Sequence, residues 1–272
     1  MNNFFCGQCG TKISTPSKFC KHCGSLLVPP SGKHTSSSSD QLDEEKQNKV
    51  SWLNNKGISF LYAGKYLEAT SYFNNALKIS PNDEIALSHK GDVLASVGVY
   101  KDAILCYDKA LEINSKNVHA LHNKAKALAN SGEDKTAIDW FNKALEIDST
   151  NPFILCNKAK ALSRIDSQKS ALSCIDDALN YSPDNIDILY IKGNILSRLS
   201  NFQDALDCYN KVLEINPKRT DALICKGNEL TNLGLHQDAI LCYDQALEND
   251  PDNPFVIENK NHVLAKMEKT NE

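Results

Sequence analysis

Small and large apolar residues recur along most of this chain in a pattern that returns every 34 residues. Leu87, Gly91 and Leu94 stand at i, i+4 and i+7, and Ala103, Tyr107, Ala110 and Leu111 form a second stripe beyond Gly98. That spacing gathers apolar side chains on one face of a helix, so each unit predicts two amphipathic helices. Units begin at Val50, Glu84, Val118, Pro152, Ile186 and Thr220, six in register without an insertion. The segments 102–108 and 238–244 are identical, four periods apart.

Within the unit, size is as regular as polarity. The fourth position is always leucine, from Leu53 to Leu223, and the eighth is Gly57, Gly91, Ala125, Ala159, Gly193 or Gly227. The twentieth is always alanine, from Ala69 to Ala239, and the twenty-fourth is Phe73, Tyr107, Phe141, Ile175, Tyr209 or Tyr243. Small residues let two helices approach closely, and a large one fills the space beside them. Gly98, Gly132 and Gly234 mark the turn between helices, while Pro81, Pro183, Pro217 and Pro251 stop the second helix. A helix pair of this kind leaves apolar surface open, so neighbours must stack.

The length of the unit and these positions resemble the tetratricopeptide repeat, over residues 50–253. The departures are leucine where tryptophan is usual at position four, and lysine where leucine is usual at position seven. The fourth unit is the weakest, with Asp166 at the turn and Gln168 in place of an aromatic. The resemblance implies an all-α fold, a right-handed α-α superhelix, divided into repeats at 50–83, 84–117, 118–151, 152–185, 186–219 and 220–253. Residues 254–272 read as a capping helix that buries Ile257 and Leu264 and exposes Glu258, Lys260, Lys266 and Glu268.

Ahead of the array, Cys6-Gly7-Gln8-Cys9-Gly10 and Cys20-Lys21-His22-Cys23-Gly24 are two C-x-x-C-G elements. Two cysteines three apart can aim both sulfurs at one ion, and the glycine permits the positive φ of the turn. Cys6, Cys9, Cys20 and Cys23 complete a tetrahedral four-sulfur shell of the structural zinc type, with no position open for substrate. Residues 1–25 resemble a short zinc ribbon, with Phe5 and Phe19 before the knuckles. So short a segment takes its folding free energy from the ion, on the order of 10–16 kcal/mol. A pair of redox motifs is the competing reading, and the absence of a βαβ pattern counts against it. Residues 26–49 read as a flexible linker, rich in Pro and Ser, with 40–49 partly helical near the array.

Net charge of −4 opposes broad nucleic-acid coating, and no apolar run is long enough to span a membrane. Residues 1–39 carry Lys12, Lys18, Lys21 and Lys33 and no acid, and a four-thiolate zinc leaves them at about +2. Nucleic acid is thus an alternative partner for the ribbon, secondary to protein. The remaining six cysteines lie on predicted helices, as in a reducing compartment, and the start lacks a signal-peptide pattern, so the expected location is cytoplasmic.

The resemblance places positions 2, 5, 9, 12 and 13 of the first helices on a concave groove. His119, His122, Lys126, Asn130, Lys160, Arg164, Asn194 and Arg198 fall there, flanked by Asp92, Asp187 and Asp221. A groove basic at its centre suits an acidic protein or peptide segment. The lysine that chaperone-tail receptors hold at position five is missing from Asn54, Ser88, His122, Cys156, Tyr190 and Ile224. Lysine fills position seven from Lys56 to Lys260, and is read as stems packed over apolar surface with ammonium groups in water. The histidines occur singly, and no catalytic or phosphate-loop motif is present. The expected protein is therefore a binding scaffold with structural zinc, neither an enzyme nor a receptor for a small-molecule substrate.

Overall fold

A computed structural model describes residues 4–5, 12–13 and 38–270. It divides into two units, 1–49 and 50–272. In the first, β1 (Phe4–Phe5) and β2 (Lys12–Ile13) pair antiparallel, Phe4 opposite Ile13 and Phe5 opposite Lys12. Cys6, Cys9, Cys20 and Cys23 lie outside the described residues.

Helix α1 (Ser38–Tyr62) is continuous and takes in the charged end of the expected linker. Its Asp40–Lys49 stretch is rich in Glu, Gln and Lys, residues that lose little rotamer freedom in a helix. Helix pairs follow at the predicted period: α2 (Tyr66–Ile79) completes the first repeat, and α3 (Glu84–Ser96) with α4 (Tyr100–Ile113) forms the second. The next pairs are α5 (Val118–Asn130) with α6 (Asp134–Ile147), and α7 (Pro152–Arg164) with α8 (Gln168–Tyr181). Then come α9 (Ile186–Arg198) with α10 (Phe202–Ile215), α11 (Thr220–Asn232) with α12 (His236–Asn249), and α13 (Pro254–Thr270) alone.

Position fifteen turns each pair. Gly64, Gly98, Gly132 and Gly234 have φ between 71° and 91°, and Asp166 and Ser200 adopt 58° and 60° at the same place. With the chain reversed there, Val99 N–H donates to Leu94 C=O and Gly98 N–H to Ala95 C=O, which satisfies the carbonyls at the helix end. Helices α3, α5, α7 and α9 start at Asx caps: Asp83, Asn117, Asn151 and Asn185 accept backbone N–H bonds on their side chains. Such caps are worth about 1 kcal/mol each.

The eighth and twenty-fourth positions meet inside every repeat. Phe73, Tyr107, Phe141, Ile175, Tyr209 and Tyr243 are fully buried. A Cβ added at Gly57, Gly91, Gly193 or Gly227 would fall within 2.6 Å of the ring of Phe73, Tyr107, Tyr209 or Tyr243 respectively. The ring therefore occupies the space that the missing side chain leaves.

Two expectations need correction. In α13 the buried residues are Val256 and Val263, while Ile257 and Leu264 are 40% and 39% exposed. Positions three and ten pack against the preceding pair, but positions four and eleven need a second helix of their own, and α13 has none. The position-seven lysines are also not simply solvated. Lys90 donates to Asn74 at 2.8 Å, Lys192 pairs with Asp176 at 2.8 Å, Lys260 pairs with Asp244 at 2.5 Å, and Lys124 pairs with Asp108. Each bond joins a first helix to position twenty-five of the preceding second helix, so these four lysines take part in repeat stacking.

Candidate functional site

Among the described residues, the first helices α3, α5, α7, α9, α11 and α13 each touch the next one in the series, whereas successive second helices do not touch. The stack is thus tighter on the first-helix side, and that side is the inner face. Its side chains come from helices packed at a fixed register.

A polar seam runs along it. Tyr107, Tyr209 and Tyr243 donate their hydroxyls at 2.8 Å to the position-nine residues Asp92, Asn194 and Asn228. The same position-nine side chains meet position six of the next repeat: Asn123 donates to Asp92 at 3.1 Å and Asn259 to Asn228 at 3.1 Å. Repeats lacking the hydroxyl, with Phe73, Phe141 or Ile175, carry Ile58, Lys126 or Lys160 at position nine instead. Lys126 and Lys160 are exposed. No tyrosine hydroxyl draws them inward.

The predicted groove residues divide accordingly. Asn130 is exposed at the end of α5. Asn194 is turned toward the core by Tyr209. Arg164 grips Asp134 through Nε at 2.8 Å and Nη2 at 2.5 Å, and also reaches the Ala129 carbonyl. Arg198 donates to the Ser163 carbonyl at 3.2 Å. Both arginines tie their helix to the preceding repeat. His122 accepts from Asn157 at 2.9 Å, and burial, with the nearby Lys126 and His119 charges, lowers its pKa to about 4.

The acids on this face have internal partners. Arg219 bonds Asp187 and Asp221, each at 2.8 Å, and lies 4.8 Å above the Tyr190 ring. Asp92 Oδ2 meets His89 Nδ1 at 2.9 Å and His119 Nε2 at 2.8 Å. Burial opposes ionisation of Asp92, but hydrogen bonds from His119, His89 and Tyr107 outweigh it and hold the carboxyl well below the usual range. Sequence spacing missed this cluster because His89 and His119 lie thirty residues apart in different repeats and form no local motif. The pairing of a tyrosine at position twenty-four with Asp or Asn at position nine is the sequence signal that could have singled out Asp92.

The six described thiols are unpaired, and burial pushes each of them up in pKa. They behave as small packing residues. No helix among the described residues is long and apolar enough to cross a membrane.

Comparison with known proteins agrees with this architecture. Models of the tetratricopeptide repeat match residues 54–118, 106–139, 186–219 and 220–253, together more than half of the chain, and a zinc-ribbon domain matches 5–27. Among curated proteins none matches by sequence. Among solved structures, YrrB, described as a TPR protein with an unusual peptide-binding site, is 24% identical, with a TM-score of 0.57 over 70% of this chain and 97% of that one. PilW, a type IV pilus biogenesis factor, has a TM-score of 0.73 at 18% identity, covering 77% of this chain and 97% of that one. Pseudomonas aeruginosa pilF has a TM-score of 0.70 at 16% identity, over 80% of this chain and 99% of that one. At these identities the likeness is one of fold. The chain belongs to the tetratricopeptide repeat family and carries an N-terminal zinc-ribbon match.

Proposed function

We propose that this protein is a cytoplasmic scaffold whose inner face binds an acidic segment of a partner protein. The observation that carries the reading is the charge left available on that face. Lys126 and Lys160 are exposed in adjacent central repeats, while Asp92, Asp187 and Asp221 are engaged by histidines or Arg219. An acidic segment gains two cations there without displacing an internal pair. Arg164 and Arg198 contribute through the charge they present at the rim, with their geometry set by Asp134 and the Ser163 carbonyl. The peptide-binding site ascribed to YrrB supports the idea that this fold can hold a chain segment.

The ribbon is structural in this reading. Its donor set, four cysteines in two C-x-x-C pairs, fits zinc chemically, and the β1–β2 pair brackets the sequence that holds Cys6 and Cys9. Zinc bound by Cys6, Cys9, Cys20 and Cys23 would staple the segment, and no catalytic step is assigned to it. Affinity capture with the full chain, with and without nuclease, tests the reading. A partner retained after nuclease, and lost with Lys126→Glu/Lys160→Glu but kept with Cys9→Ser/Cys23→Ser, supports it. Capture that vanishes with nuclease or with the cysteine variant assigns the function to the ribbon and overturns it.

A further inference from the structure

His89 and Asp92 lie one turn apart on α3, and His119 reaches them from α5 of the next repeat. The nitrogens His89 Nδ1 and His119 Nε2 both point at one oxygen, Asp92 Oδ2, and these three ligand atoms lie within 4.8 Å of one another. From this convergence we infer that His89, Asp92 and His119 form a binding site for one divalent transition-metal cation of the zinc class, bridging the second and third repeats.

The donor chemistry supports the inference. Two imidazoles and a carboxylate are ligands suited to zinc and its first-row neighbours, in a three-ligand shell with a position left for water. A tetrahedral shell with bonds of about 2.0–2.2 Å spaces its ligand atoms roughly 3.3 Å apart. The present oxygen–nitrogen contacts of 2.8 and 2.9 Å would therefore open by about half an ångström, while the two nitrogens, within 4.8 Å of each other, would settle to the same spacing. With the ion bound, each imidazole would turn a lone pair to it and carry its proton on the other ring nitrogen, so metal bonds would replace the hydrogen bonds that His89 and His119 make to Asp92.

The carboxylate is already held for the task. Its second oxygen, Oδ1, accepts from Tyr107 at 2.8 Å and Asn123 at 3.1 Å, which leaves Oδ2 directed at the two imidazoles. Such outer contacts orient a ligand and raise its metal affinity. His89 is further fixed by stacking on Phe73, with ring centroids 5.9 Å apart. Because His119 belongs to a different repeat, the ion would couple neighbouring helix pairs.

Zinc titration of the untagged full chain, followed by competition with a chromogenic chelator, tests the site. The original chain is expected to hold one equivalent more than His119→Gln and one more than His89→Gln, whatever the ribbon contributes, since all three chains share its cysteines. Circular dichroism should be the same for the three, and His119 is exposed enough that glutamine there leaves the fold intact. Tyr107→Phe should keep the extra equivalent with affinity reduced by roughly 10-fold to 100-fold. Equal zinc capacity and affinity in the original chain and both histidine variants would overturn the assignment.

Discussion

Adding one methyl group at Gly193 should destabilise the fifth repeat, although alanine is the better helix former. The new Cβ would lie 2.5 Å from Tyr209 Cε1, 2.8 Å from Cζ and 3.0 Å from Cδ1. Tyr209 is fully buried, and its hydroxyl is anchored to Asn194 at 2.8 Å, so the ring has little room to retreat. Overpacking of this kind costs about 1–3 kcal/mol, and loss of the hydroxyl bond about 0.5–1.5 kcal/mol. Helix propensity returns about 0.5–1 kcal/mol. Gly193→Ala is therefore expected to cost about 2 kcal/mol. The third repeat shows how the clash can be relieved, since Ala125 and Phe141 coexist there, both buried and with no hydroxyl to anchor the ring. Gly193→Ala/Tyr209→Phe should thus lose less than the sum of the single changes. Denaturant unfolding gives the totals, and hydrogen exchange should locate the loss in α9 and α10. A neutral or stabilising Gly193→Ala, or strict additivity in the double variant, would refute this account of the small–large pairing.

Other consequences can be measured as directly. Ser200→Gly should stabilise by about 1 kcal/mol in thermal unfolding, because Ser200 adopts φ of 60°, where a side chain is unfavourable. Lys124→Ala should cost about 1–3 kcal/mol, losing both Asp108 and a ring contact 3.3 Å above Trp140, whereas Lys126→Ala two residues away should change stability by less than about 0.5 kcal/mol. His122 has its folded pKa lowered from 6.5 to about 4, so the unfolded chain takes up the proton first as the pH falls. Stability is then lost between those values at up to about 1.4 kcal/mol per pH unit, and His122→Gln should flatten that part of the pH–stability curve. Stripping zinc with a strong chelator should abolish dispersed amide signals from residues 5–27 while leaving the helical circular dichroism of the array unchanged.

The repeat was legible because its small and large positions recur in phase, and the structure places Gly91 against Tyr107 as that phase demands. Asn117 and Asn151 cap helices at the unit boundaries where the sequence pattern divides. What escaped the sequence was contact between units. Arg164 reads as a groove cation, yet it meets Asp134 from thirty residues earlier. Lys124 reads as a solvated lysine, yet it is buried beside Trp140 and Asp108. His89 and His119 look solitary until α3 and α5 bring them to the same carboxylate oxygen. In α13, helical periodicity admits two adjacent stripes, and only the missing second helix decides that Val256 and Val263 are the buried ones. Local pattern thus determines the helix pair, while the stacking of pairs determines which polar side chains remain available to a partner.

The central claim is that the first-helix face receives the partner. Site-specific photo-crosslinking in the full chain tests it most directly, with the probe placed at position 126 or 160 and, for contrast, at 109 or 169 on the second helices. The account predicts that one partner protein is crosslinked from 126 and 160 and not from 109 or 169. Crosslinks to that partner from the second-helix positions alone would contradict it.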